Sequence, residues 1–156
     1  MSSYTLIASV EIAIATDYVA FTNLPSSYRD AVIVVDGNSA SWSNISLRMN
    51  GNTFFQYFQQ RLQSYQSTSA HYWLDNQDQA RAGWNRNGVT VCHLMDYSST
   101  DKYTTTISYS SNLTDDITTL ESSMWKQNAA VTTLEMFTNG NNWTSGTTIF
   151  MYGIEA

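Results

Sequence analysis

The sequence predicts an all-β fold, a sandwich or barrel of eight to nine antiparallel strands forming a single domain over residues 1–156. Three observations carry the prediction. Charged residues make up only 13% of the chain and aromatics another 13%, with ten Tyr and five Trp. Side chains that are branched or carry rings suit a pleated, half-buried surface. Apolar residues recur with a period of two in many short runs, and turn residues stand between those runs. The one proline, Pro25, lies in such a turn, as expected for a residue that cannot donate to a strand ladder.

Leu6 to Ile14 alternates, with Leu6, Ala8, Val10, Ile12 and Ile14 on one face. Tyr18 to Thr22 follows as a second strand, and Asn23 to Ser27 as a turn. Ala31 to Val35 is a continuous β-branched run, the pattern of a strand buried on both faces. Ile45, Leu47 and Met49 alternate with polar residues. Asn50-Gly51 after them is a hairpin signal, because both residues accept positive φ. Phe54 to Ser64 fits either a strand or a helix with Phe54, Phe55, Phe58, Arg61 and Leu62 on one side. Residues 65–88, rich in Gln, Ser, Asn and Asp, predict a long polar loop with at most one short strand. Val89 to Tyr97 and Tyr103 to Tyr109 alternate again. Residues 112–123 predict a loop with a helical turn. Ala129 to Phe137 and Thr147 to Ile154 are the last strands, and Asn139 to Asn142 is a turn between them.

Composition also excludes functions. Net charge is −6 and the pI ≈ 4.5. The seven Lys and Arg are scattered, so no basic patch exists for nucleic acid. One cysteine, Cys92, allows no intrachain disulfide. Met1-Ser2-Ser3-Tyr4 lacks the basic and apolar regions of a signal peptide, and no run approaches the ~18 apolar residues of a spanning helix. A protein made in a cytoplasm, with no membrane partner, is expected. His71 and His93, the two histidines, have no nucleophile motif beside them. His93 shares a strand face with Val91 and Met95, the placement of a core or interface residue. Cys92, His93 and His71 are too few for a zinc site. Neither Asp36-Gly37-Asn38 nor Asp115-Asp116 has the spacing of a calcium loop. No metal, no cofactor and no catalytic residue is expected.

The chain resembles a family of small bacteriophage virion proteins. The resemblance rests on ordered segments: Tyr4-Thr5-Leu6-Ile7-Ala8; Phe21 to Asp30 with Leu24-Pro25 and Tyr28; Leu47-Arg48-Met49-Asn50-Gly51-Asn52; Trp125 to Leu134; Asn139-Gly140-Asn141-Asn142-Trp143; Ser145-Gly146-Thr147; and Met151-Tyr152-Gly153-Ile154. Asp75 to Asn87 has no counterpart in that pattern. The resemblance implies a jelly-roll-like sandwich that oligomerises on the virion surface, with the major capsid protein or another virion protein as partner. Some members decorate capsids and others sit in tails or fibres. A chain of 156 residues without coiled coil or repeat favours decoration, and local threefold axes of a shell favour a homotrimer. The alternative is a receptor- or glycan-binding module of a fibre.

Tyr57, Phe58, Tyr65, Tyr72, Trp73 and Trp84 lie in or beside the polar central segment. Rings in such a setting anchor a protein interface, stack on sugars, or cap the open end of the sandwich. A glycan hydrolase would need two carboxylates at a defined separation across a cleft, and no motif points to one. Trp125 and Trp143 lie in the segments that carry the resemblance, which implies that they are structural.

Overall fold

The computed structural model describes residues 3–41 and 43–155. Twelve strands run in order: β1 (Tyr4–Glu11), β2 (Tyr18–Thr22), β3 (Asp30–Gly37), β4 (Ser43–Met49), β5 (Tyr57–Tyr65), β6 (Thr68–Gln77), β7 (Ala80–Asn85), β8 (Gly88–Met95), β9 (Thr104–Asn112), β10 (Ile117–Trp125), β11 (Thr133–Asn139) and β12 (Thr148–Ile154). They form an eight-stranded sheet, β1-β12-β3-β8-β9-β10-β5-β6, and a four-stranded sheet, β2-β11-β4-β7. Every pairing is antiparallel. The fold is a β-sandwich, as the composition and the alternation predict.

Eight of the strands make a jelly roll of two four-stranded sheets, in which each successive strand changes sheet except β4 and β7, which pair with each other. Here β1, β12, β3 and β8 lie over β2, β11, β4 and β7. The other four strands are two inserted hairpins, β5–β6 and β9–β10. They pair with each other through β10 and β5 and widen the large sheet from four strands to eight. The core lies between the sheets. Ile33, Val35, Leu94, Ile149 and Met151 meet Ile45, Leu47, Met49, Leu134 and Met136, and all of these are buried.

Several expectations are corrected. Residues 65–88 are not a long loop, because they contain β6 and β7. β6 carries no hydrophobic alternation because solvent reaches both of its faces. Residues 112–123 are mainly β10, whose inner face is Ile117, Thr119, Glu121, Ser123 and Trp125. Small polar groups on that face hide the period-two signal. Phe54 to Ser64 resolves as strand β5, starting at Tyr57. The penultimate strand begins at Thr133 rather than Ala129. The first strand stops at Glu11, with a bulge between Leu6 and Ala8. The bulge reverses parity, so Leu6 faces solvent while Ile7 packs on the core.

Asn50-Gly51 forms the turn that its sequence predicts, but not the hairpin. Both residues have positive φ, 52° and 64°, and Asn52 N–H donates to the Met49 carbonyl at 3.0 Å. The strands it joins, however, belong to different sheets. The turn is a corner, and its side chain fixes a second corner. Asn50 Nδ2 donates to the Ala130 carbonyl at 2.8 Å, and Oδ1 accepts from the N–H groups of Thr132 and Thr133. Asn50→Ala removes these bonds and strains a left-handed residue. We expect a loss of about 2 kcal/mol, read as a lower urea midpoint with an unchanged slope.

Candidate functional site

Strand parity sorts the large sheet into two unlike faces. The inner face of its extended half is polar and small. Thr104, Thr106, Ser108 and Ser110 of β9 and Thr119, Glu121 and Ser123 of β10 are all buried. β7 lies against these strands. Its Gly83 has φ of +126°, and a Cβ there would run into Ser110 Oγ. Ser110 Oγ instead accepts the Trp84 N–H at 3.0 Å and meets Thr119 Oγ1 at 2.7 Å. The small side chains let the two layers come close.

The outer face is apolar. Reading across its extended half, two neighbouring rows run in register: His71 of β6, Leu62 of β5, Leu120 of β10 and Tyr109 of β9 in one, and Trp73, Gln60, Ser122 and Ile107 in the next. Tyr109, Val91 and Val34 continue the face, and Tyr152 and Leu6 close it. Trp73 is 64% exposed, and Leu62 and Tyr109 are each 53% exposed. Tyr4, Val32, Val34, Val91, His93, Tyr109 and Tyr152 line a shallow trough of ≈ 400 Å3. Carboxylates occur only at the ends: Glu11 and Asp36 share one row with Thr148, and Asp30 and the Asp75–Lys126 ion pair lie at the opposite end. Between them, among the described strand residues, no Lys, Arg, Asp or Glu faces outward. The small sheet differs. Its outer face carries Arg48 stacked 4.7 Å over Phe137 and 3.6 Å from Glu135, which also accepts the Tyr18 hydroxyl.

The alternating face Val89, Val91, His93, Met95 therefore points out, and Thr90, Cys92 and Leu94 point in. Cys92 is buried, and burial pushes its thiol up to about 12. Tyr97 lies beyond the end of β8. It is buried and donates its hydroxyl to the Pro25 carbonyl at 2.6 Å.

The six aromatic candidates do not form one patch. Tyr57 is a core residue with no exposed surface. Its hydroxyl accepts the Met49 N–H at 2.9 Å, and burial pushes its pKa up to about 12. It cannot serve as a contact ring. Phe58 and Trp73 face outward, while Tyr65, Tyr72 and Trp84 lie on the inner side. Tyr72 and Trp84 sandwich the Arg61 guanidinium at 4.6 and 5.6 Å. Phe58 and Tyr65 are half-buried. The outward residues Leu62, Leu120, Ile107 and Tyr109 were not singled out from the sequence, because an apolar outer row and an apolar inner row give the same alternation.

A buried polar cluster lies beside Tyr72. Glu121 stands opposite Arg61 in the β10–β5 register, with Arg81, Gln59 and Leu74 around it. Burial pushes the Glu121 carboxyl up to about 7, against the pull of Arg61 and Arg81. Burial, helped by Arg61, lowers Arg81. The cavity is ≈ 10 Å3, room for about one water and far too small for a sugar ring. Among the described residues, no three His, Cys, Asp or Glu side chains converge as metal ligands. Asp115 bonds to Arg86 and Asn112.

Compared with models of known protein families and with the sequences of curated proteins, the chain matches none.

Proposed function

We propose that the protein is a non-enzymatic virion subunit that decorates a bacteriophage head, as a homotrimer seated on the shell of the major capsid protein. The observation that carries the reading is the uncharged apolar outer face of the large sheet. Soluble monomers rarely leave so large an apolar patch uncovered. The whole face, with polar residues such as Gln60, Ser122 and His93 included, has eight strands ~4.8 Å apart and about seven residues long and spans on the order of 800–900 Å2, close to the ~800 Å2 that each partner buries in a stable interface. Neighbouring copies in the trimer are the occupants we assign to it. A face without charge suits permanent burial among like copies. Weak contacts to the shell then add up through avidity. The ordered resemblance to small phage virion proteins supports the same reading.

Imaging of purified virions by cryo-electron microscopy tests the location. Hundreds of copies at local threefold positions support decoration, and a handful at the tail or one vertex overturn it. Ile107→Arg tests the face. A charge there is expected to leave the fold intact, because Ile107 points to solvent, and to lower the mass of the oligomer in sedimentation.

A second reading, a glycan- or receptor-binding module of a fibre, draws on Trp73, whose ring is exposed enough to stack on a sugar. It requires binding to host polysaccharide that is lost in Trp73→Ala and kept in Tyr57→Phe.

A further inference from the structure

We propose that the β6 edge of the large sheet is a self-pairing strand, which joins two copies of this chain antiparallel about a twofold axis through His71. The proposal concerns a sheet edge and does not depend on where the protein sits.

The sandwich has four edge strands, β1 and β6 in one sheet and β2 and β7 in the other. Proteins protect edges by bulges, short length or charge, since unpaired N–H and C=O groups recruit other strands. β1 is interrupted by its bulge at Ile7. β2 has five residues. β7 has six and a register shift against β4. β6 alone offers a regular run, Thr68 to Leu74, paired without interruption to Tyr65 back to Gln59. That run contains no Lys, Arg, Asp, Glu or Pro.

Its free groups follow from the hairpin. Tyr65 and Thr68 close a two-residue turn, so they form a hydrogen-bonded pair, and such pairs then alternate along the ladder. Ala70, Tyr72 and Leu74 bond inward to β5. Ser69, His71 and Trp73 turn their N–H and C=O groups away from the sheet. Among the described residues, no side chain or loop bonds to those groups.

The run is symmetric about His71. Pairing 69 with 73, 71 with 71 and 73 with 69 of a second copy places every outward group opposite another, giving about six bonds. The side chains fit the same register. On the outer face each Trp73 meets a Ser69, and on the inner face each Tyr72 meets an Ala70. Large faces small at all four positions, and no like charges of Asp or Glu are brought together. The outer faces of the two copies become one continuous surface.

Two variants of the purified chain test this by sedimentation. Proline is tolerated on an edge where the N–H points to solvent, so His71→Pro should fold while deleting one bond from each copy at the axis. Association is expected to weaken roughly 30-fold, and the parent should sediment at twice the mass of the variant. In His71→Cys, the axial pair brings Cα atoms to ~5.5 Å, within the range of a disulfide. Mild oxidation should link it into covalent dimers, and buried Cys92 does not compete. Equal masses for the parent and His71→Pro, or a His71→Cys chain that stays unlinked, would overturn the proposal. A mass that falls with Ile107→Arg and not with His71→Pro would overturn it too, and would place the contact between copies on the outer face alone.

Discussion

Glu121→Gln is expected to raise the urea midpoint at pH 8 and to leave it nearly unchanged at pH 4. Glu121 is almost fully buried on the inner face of β10. Burial is the largest influence on its carboxyl, and Arg61 and Arg81 offset only part of it, so its pKa stands at about 7 in the fold. The unfolded chain titrates near the ordinary value of 4.5. Between these two values the folded state holds the proton and the unfolded state has released it. Stability is therefore full below about pH 4.5, falls as the pH rises, and reaches its floor above about 7. The difference is about 3 kcal/mol. Glutamine keeps the shape and cannot ionise, so the variant should show a flat profile from pH 4 to 8. A parent profile that rises with pH through this window would overturn the assignment. Low pH favours this fold locally, the reverse of the usual effect of paired surface carboxylates.

The second large effect is expected at Trp143. The residue follows the Asn139-Gly140 turn and is fully buried. Its N–H donates to the Thr16 carbonyl at 2.9 Å, and its carbonyl accepts the Thr16 N–H at 3.3 Å. A second bridge joins it to Ser39. One side chain therefore fills the space where three connections converge: those before β2, after β3 and before β12. Trp143→Ala should cost about 3–5 kcal/mol, the range for deleting a buried aromatic. That is a large share of the ~5–15 kcal/mol of a typical domain. Calorimetry should record a drop on the order of 10 °C, with Trp143→Phe intermediate. A Trp143→Ala chain that melts within a few degrees of the parent would show that the loops collapse to fill the cavity.

Both residues illustrate how unevenly the sequence reveals its structure. Trp143 is expected to be structural because it lies in one of the ordered segments that carry the resemblance to phage virion proteins. Glu121 was not legible. In Ile117 to Trp125, Ile, Thr, Glu, Ser and Trp share one face, and neither composition nor period marks that face as buried. Only the approach of β7, allowed by Gly83 and Ser110, covers it. The aromatic candidates divide in the same way. Tyr72 and Trp73 are adjacent, so a strand must place them on opposite faces, whereas the sequence treated them as one group.

The sequence by itself determined that this chain is all-β. It also determined the approximate places of most jelly-roll strands and the Asn50-Gly51 turn. These follow from local properties: β-branching, period-two alternation and residues that accept positive φ. Only the tertiary structure decided which side of each alternating strand faces the core. It also decided that Asn50-Gly51 turns a corner between sheets, and that the polar stretch around residues 65–88 adds strands to the sandwich. Alternation is unchanged when a strand is turned over, and a turn is the same whether the strands beyond it pair or part. The choice between such arrangements rests on contacts between residues far apart in the chain. Those contacts leave the outer face of the large sheet apolar and the β6 edge unpaired.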